Sequence, residues 1–349
     1  MNRFLSLILR AWIFPVLCSN LLFGADHSKL PPLPAPVSGN AVASGKNAQD
    51  LYSLMGIGGK KTWDDISNRV FTLHLGAAGW REVRPVPGVA GRLGAVAVGV
   101  KNKIYLFGGY VVDSAGSEII VPDVNVYLAD EGRWYRAADI PTPVDSAVAV
   151  VSQNRYIYLI GGRSKNGPVN TVQLYDAEKN TWADAAPAPE GAVYGHAGGI
   201  ADDTIVFVDG AKKNPGRGVP YVASDECWLG KIDRKDPAKI GWTQLPAHPG
   251  PGRFGIESGT QEHRVIFSGG TTSPHNFKGA AYDGKPLQAS SFTFAYDVHA
   301  NHWETLSEDT PDPRSDASAI LETQYGAVIL GGLKENGAPT AEVFLLPKK

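Results

Sequence analysis

Residues 155–182 read RYIYLIGGRSKNGPVNTVQLYDAEKNTW. An apolar run stops at Gly161-Gly162, a polar turn follows, a second run alternates apolar and polar residues, and the stretch closes on Trp182. Period-two alternation marks a strand, and a glycine pair beside a polar cluster marks a turn, so one copy describes a hairpin. The chain does not stop at one copy. KIYLFGGY and VNVYLADEGRW, within 103–134, repeat the order, as do RVIFSGG and SFTFAYDVHANHW within 264–303. Weaker versions run from 51 to 80, from 204 to 242 and from 326 to 347, which makes six units.

The glycine pairs fall at 58/59, 108/109, 161/162, 209/210 (as Asp209-Gly210), 269/270 and 331/332, spaced by 48 to 62 residues. Within a unit the order predicts four short strands: DSAVAVVS (145–152), YIYLIGG, TVQLYDA and TWADAA. Short strands at a period near 50 are the pattern of a propeller whose blades are repeats. Trp80, Trp134, Trp182, Trp242 and Trp303 recur at the start of the fourth strand, where they are expected to fill the space between blades. On these repeats the chain resembles the kelch superfamily over residues 30–347. The resemblance implies an all-β, six-bladed kelch β-propeller. The sixth unit ends in TAEVFLLPKK and supplies only a third strand, while LPPLPAPVSGN (30–40) echoes AADIPTPVDSA (137–147). The N-terminal segment is therefore expected to complete the last blade and close the ring, which removes exposed sheet edges.

Forty glycines and 25 prolines, spread between short apolar runs, suit the turns of an all-β chain. A net charge of −2 without a basic block argues against nucleic acid as a partner. MNRFLSLILRAWIFPVLCSNLLFGADHS carries Arg3, Arg10, an apolar stretch to Phe23 and the small residues Gly24 and Ala25, the pattern of a secretory signal peptide. Arg10 and Pro15 interrupt that stretch, which disfavours a membrane-spanning helix. Leu17 before Cys18 is not the small residue that lipoprotein cleavage favours. The expectation is a signal peptide over 1–25, a propeller over 26–349, export to the periplasm or the exterior, and no membrane attachment after cleavage. Cys227 then remains alone, with no internal disulfide, and is expected to be a buried small hydrophobe in the strand ECWLGKI.

In a propeller blade, the lead-in to strand 1 and the connection between strands 2 and 3 open on one face around the channel mouth, so binding residues are sought there. The lead-ins hold Arg92 (GRLGAVAV), Asp145 (VDSAVAV), Tyr194 and His196 (VYGHAGG), Arg253 (GRFGIESG), and Arg314 with Asp316 (PRSDASA). Three arginines converging on one mouth would bind an anion or carboxylates, or would be neutralised by Asp145 and Asp316 as a structural ring. From glycine pair to Trp the fourth and fifth units run 32 and 33 residues, against 21 and 20 in the first and third. The long inserts bring Lys212, Lys213, Arg217, Tyr221, Asp225 and Glu226, then His275, Asn276, Tyr282 and Asp283, toward one face. Aromatic faces for stacking and polar groups for hydroxyls suit a sugar. Asp283-Gly284 reads equally as a turn.

Among kelch proteins, the architecture is similar to that of the exported bacterial N-acetylneuraminate epimerases, sialic acid mutarotases closed by an N-terminal LP…P segment. That resemblance implies catalysis by a Glu after Asn-Gly in the fourth blade and an Arg six residues beyond it. In DGAKKNPGR, Arg217 matches the arginine and Ala211 stands at the glutamate position, which leaves Glu226 or His196 as the acid/base group. Substrate contacts are expected from Arg92, Asp145, Tyr194, Arg253, His275, Asn276, Tyr282, Asp283 and Arg314. The chain is also similar to secreted galactose oxidase-like kelch proteins, but His196, His248, His263 and His275 lack close metal-ligand spacing. No metal and no cofactor are expected. No G-x-S-x-G, H-E-x-x-H, P-loop or dinucleotide fingerprint in a βαβ context occurs. Two readings stand: a mutarotase or epimerase acting on sialic acid or a related sugar, and a non-catalytic module that binds a carbohydrate, a glycan or a protein.

Overall fold

The computed structural model describes residues 30–346 apart from 46, 89, 90, 190 and 217. The signal peptide expected over 1–25 lies outside them. The second strand of a unit, such as YIYLI, is apolar on both faces and is buried between two neighbouring sheets, whereas the fourth, TWADA, is mostly exposed at the rim. In the third unit Val148–Ser152, Tyr156–Ile160, Val172–Asp176 and Thr181–Ala185 pair antiparallel in that order. Four other units form the same four-stranded meander, and the last holds Ile320–Thr323, Gly326–Leu330 and Val343–Leu345. The inner strands Ala41–Gly45, Val96–Val100, Val148–Ser152, Ala197–Ala201, Phe254–Gln261 and Ile320–Thr323 touch in sequence, and the last meets the first. The protein is an all-β propeller of six blades, numbered here in chain order, around a channel.

The tryptophans explain how the blades are joined. Each indole N–H donates to a carbonyl at the outer edge of the preceding blade: Trp134 to Arg84 at 2.9 Å, Trp182 to Ala138 at 3.0 Å, Trp242 to Ala186 at 3.0 Å and Trp303 to Pro246 at 2.9 Å. Trp80 of blade 1 donates to Pro31, at 2.9 Å. Leu33 N–H in turn donates to the Ala341 carbonyl of blade 6, as Ile140 does to Pro122 in blade 2, and Val37 bridges Thr340. The N-terminal segment thus takes the outer place of blade 6, as an extended run rather than a full strand, and closes the ring. Only the seam between blades 5 and 6 lacks a tryptophan among the described residues. A cavity of about 390 Å³ lies there, walled in part by Ile266, Leu306, Ala327 and Leu346.

Strand 2 ends in every blade on two successive left-handed residues, with φ of 61° and 96° at Gly161-Gly162. A Cβ on Gly162 would stand 2.7 Å from the Asp145 carbonyl oxygen, so this position requires glycine for space as well as for φ. Blade 1 departs from the sequence expectation. Its left-handed pair is Met55-Gly56, with φ of 58° and 110°, and not Gly58-Gly59; a register shift between Leu54 and Gly56 accompanies it. Met55 conceals the pair because a side chain is disfavoured in that conformation, while a conspicuous Gly-Gly follows three residues later. Cys227 is buried in its strand, as expected.

Candidate functional site

The residue after each left-handed pair turns toward the axis and forms an antiparallel bridge with the lead-in to its own strand 1. The six bridged pairs are Ser38 with Ile57, Leu93 with Tyr110, Asp145 with Arg163, Tyr194 with Ala211, Phe254 with Thr271, and Ser315 with Leu333. They make a two-tiered ring at the mouth. Five pairs are apolar, aromatic or small hydroxyl residues, and blade 3 alone supplies an ion pair.

Arg163 Nε donates to Asp145 Oδ2 at 2.9 Å, and Arg163 Nη1 lies 2.6 Å from Glu118 Oε2. The guanidinium carbon is 5.1 Å from the centre of the Tyr110 ring and 5.5 Å from that of Tyr194, so aromatic faces flank the cation. Burial raises the Asp145 pKa to about 6, even though Arg163 beside it pulls the other way. Burial opposes the charge on Arg163, but Asp145 and Glu118 outweigh it and hold the guanidinium protonated. The Ser146 hydroxyl approaches Asp145, and the Tyr282 hydroxyl approaches Tyr194, outside hydrogen-bonding geometry, so Asp145 Oδ1 and Tyr194 Oη, like His275 Nε2, are buried without a well-formed bond. Aromatic contacts continue the wall: Tyr194 meets Tyr221 at 5.0 Å and Phe254 at 5.4 Å, Tyr221 meets Tyr282 at 5.6 Å, and Phe254 meets His275 at 5.1 Å.

Directly below lies a neck. The residue after each lead-in, Gly39, Gly94, Ser146, Gly195, Gly255 or Asp316, is left-handed in all six blades. Backbone N–H groups run round it from blade to blade: Ser146 donates to Gly94, Gly195 to Ser146, Gly255 to Gly195, Asp316 to Gly255 and Gly39 to Asp316, at 2.7–3.0 Å. Four members are glycine, as the conformation favours, and two carry polar side chains at a cost in strain. Burial raises the Asp316 pKa, with His275 opposing, and no donor among the described residues bonds its carboxylate. The mouth encloses about 50 Å³, the neck about 80 Å³ and the channel beyond about 300 Å³.

Of the residues singled out in the sequence, Asp145, Tyr194, His275, Asn276 and Tyr282 line the mouth together. Asn276 also shapes its own loop, its Oδ1 accepting from the Lys278 and Ala280 N–H groups. Asp283 bonds Ser273 at 3.0 Å and the Lys285 N–H, which is the turn reading, and it is not part of the lining. His196 sits below the mouth, at the neck and the channel wall, beside the Ile160 backbone, with its pKa lowered to about 4 by burial. Glu226 accepts from the Trp228 indole at 3.2 Å and is away from mouth and neck, so neither of the two alternatives for the acid/base group lines the mouth. Arg217 lies outside the described residues.

The three arginines do not converge on the mouth. Arg92, Arg253 and Arg314 are buried inside their own blades, where each donates to the carbonyl just before the third strand, Asp123, Phe292 or Glu342 respectively. Arg253 and Arg314 also reach the first glycine of the pair, at 2.7 Å and 3.0 Å. Carbonyls at a strand start have no ladder partner, and a long planar donor satisfies them. Sequence reasoning missed Arg163, Glu118 and Tyr110 at the mouth. The signal was available in two cases: Arg163 and Tyr110 directly follow their glycine pairs.

A family model described as "KLHDC2/KLHL20/DRC7 Kelch-repeats domain" matches residues 41–270. N-acetylneuraminate epimerase 1 of Escherichia coli O6:H1 is 24% identical over 310 residues, covering 77% of this chain and 80% of that protein. The N-acetylneuraminate epimerase of Yersinia enterocolitica is 23% identical over 318 residues, covering 77% and 78%. The solved structure of YjhT superposes with a TM-score of 0.73 at 19% identity, over 90% of this chain and 95% of that one.

Proposed function

Because the chain belongs to the kelch-repeat family, with relatives among N-acetylneuraminate epimerases, we propose that its mouth is a carbohydrate site that interconverts the anomers of a reducing sugar. The observation that carries this reading is a pair of carboxylates, buried Asp145 and half-buried Asp316, facing one small opening beside Arg163. Ring opening needs a base on the anomeric hydroxyl and an acid on the ring oxygen. Asp145, held near pH 6 and kept ionised at neutral pH beside Arg163, takes the anomeric proton. Asp316, raised and without a donor, gives a proton to the ring oxygen as its bond to the anomeric carbon breaks. Rotation of the open-chain carbonyl and closure on its other face, with both transfers reversed, yields the second anomer with no net gain or loss of atoms. Arg163 and Tyr194 orient the hydroxyls and stabilise negative charge on oxygen.

The relatives support the type of reaction. Ala211, fully buried at the position where the resemblance implies a glutamate, means that a different carboxylate serves here, and the equivalent ring position one blade earlier is Arg163, bridged to Asp145. We also propose that the protein is exported, on the evidence of residues 1–25, which the mass of the chain recovered from an extracellular or periplasmic fraction would test. The enzymatic reading is tested by proton NMR of freshly dissolved single anomers of D-galactose, D-glucose and N-acetylneuraminate with and without protein. Faster exchange of at least one, abolished in Asp145→Asn, supports it; buffer-rate exchange of all three by folded protein, with binding retained, leaves a non-catalytic sugar module.

A further inference from the structure

The carbohydrate reading leaves open which sugars enter, and the charge at the mouth bears on that. Glu118, Asp145 and Asp316 face the opening, and among the described residues Arg163 is the one guanidinium or ammonium that lines it. Two of its nitrogens are already engaged, Nε by Asp145 at 2.9 Å and Nη1 by Glu118 at 2.6 Å. Neighbouring lysines do not make up the balance: Lys213 donates to the Asn166 carbonyl at 3.0 Å, and Lys278 is exposed over the Phe277 ring, outside the lining. A ligand carboxylate arriving here would meet more negative charge than positive.

The unmet hydrogen bonds point the same way. Asp145, Tyr194 and His275 are 1%, 3% and 7% exposed, and each presents a buried atom that makes no hydrogen bond of normal geometry: Oδ1, with the Ser146 hydroxyl nearby, Oη, with the Tyr282 hydroxyl nearby, and Nε2. Buried polar atoms of native proteins are nearly always bonded, so three in one opening mark a place that something polar completes. Asp145 Oδ1 only accepts, Tyr194 Oη can do either, and His275 Nε2 donates or accepts with its tautomer. Sugar hydroxyls answer all three, since each donates one hydrogen and accepts others. A carboxylate accepts only and has nothing to offer Asp145. An opening of about 50 Å³ admits the edge of a ring and not a whole one, with Tyr221 and Tyr282 beside the part left outside.

We propose that the mouth holds an uncharged sugar by an edge bearing two adjacent hydroxyls and discriminates against sugars that carry a carboxylate. The inference rests on the carbohydrate reading of this site. It is tested by calorimetric titration of the mature protein with three probes: D-galactose, N-acetylneuraminate and the methyl ester of N-acetylneuraminate, which differs from the acid in charge and one methyl group. Two like charges in partly hydrated surroundings repel, so the acid is expected to bind at least about tenfold more weakly than its ester. Glu118→Gln, which removes one carboxylate charge from the mouth, is expected to narrow that gap. Binding of the acid as tightly as the ester, or more tightly, overturns the selectivity and leaves the carbohydrate reading standing. Absence of binding by all three probes overturns the carbohydrate reading and this inference with it.

Discussion

Asp145 and Arg163 are backbone partners before they are side-chain partners. Asp145 N–H donates to the Arg163 carbonyl at 3.0 Å, Arg163 N–H returns the bond at 2.9 Å, and the side chains then meet at 2.9 Å. The bridge fixes where the charges stand, so little side-chain entropy is lost in pairing them. Removing the cation should therefore expose the carboxylates to their full burial cost. Arg163→Met is expected to destabilise the fold by about 3–5 kcal/mol and to abolish anomer exchange. Adding Asp145→Asn should recover part of the stability and none of the exchange, which chemical denaturation and NMR measure separately.

The acidity of Asp145 sets a pH dependence. A base must be ionised to work, and the pKa is about 6, so exchange should fall as pH drops through about 6 and level off above it. In Asp145→Asn this limb should vanish along with most of the rate. A rate in wild type that is flat from pH 5 to pH 7.5 would remove Asp145 from the role of base.

Glu257, fully buried with Oε2 unpartnered, carries a pKa raised by burial from 4.5 to about 8. The unfolded chain releases this proton first. The stability linked to it is therefore complete below about pH 4.5 and is lost as pH rises through about 8. Asp145 has the same sign in a lower window that closes near pH 6, and His196 acts below 6.5, so the interval from pH 6.5 to 9 isolates Glu257 among these three. Glu257→Gln should flatten the decline of Tm across that interval.

Ring closure rests on Trp80 and Pro31. Trp80→Phe removes the indole donor while keeping an aromatic ring, and is expected to cost about 1 kcal/mol, close to the loss of one hydrogen bond. Trp80→Ala should cost more, about 2–3 kcal/mol, since a large half-buried side chain is deleted as well. The seam between blades 5 and 6, which has no tryptophan among the described residues, offers the opposite case: Ala327→Leu extends into an existing cavity and should raise Tm.

The repeat made the fold legible. Five tryptophans, the glycine pairs and the echo between residues 30–40 and 137–147 fixed blade number and closure, because each repeat must place the same groups at the same seam. Blade 1 was misread locally, since Met55 occupies a left-handed position that sequence assigns to glycine. The mouth was legible in part. Asp145, Tyr194, His275 and Tyr282 could be placed by their order in the blade, but an arginine looks the same in sequence whether it clips carbonyls, as Arg253 does, or faces the channel, as Arg163 does. Arg253 stands one residue before the bridged lead-in residue Phe254, whereas Arg163 is itself a bridged residue, and that placement is set by the bridge rather than by composition.

The most direct measurement is a crystal structure of the protein soaked with the sugar whose exchange it accelerates most. The account expects the sugar edge at the mouth, with hydroxyls within hydrogen-bonding distance of Asp145 Oδ1 and Tyr194 Oη and the anomeric centre between Asp145 and Asp316. A sugar bound elsewhere, such as the seam beside Leu306 and Ala327, with the mouth unchanged, would contradict it.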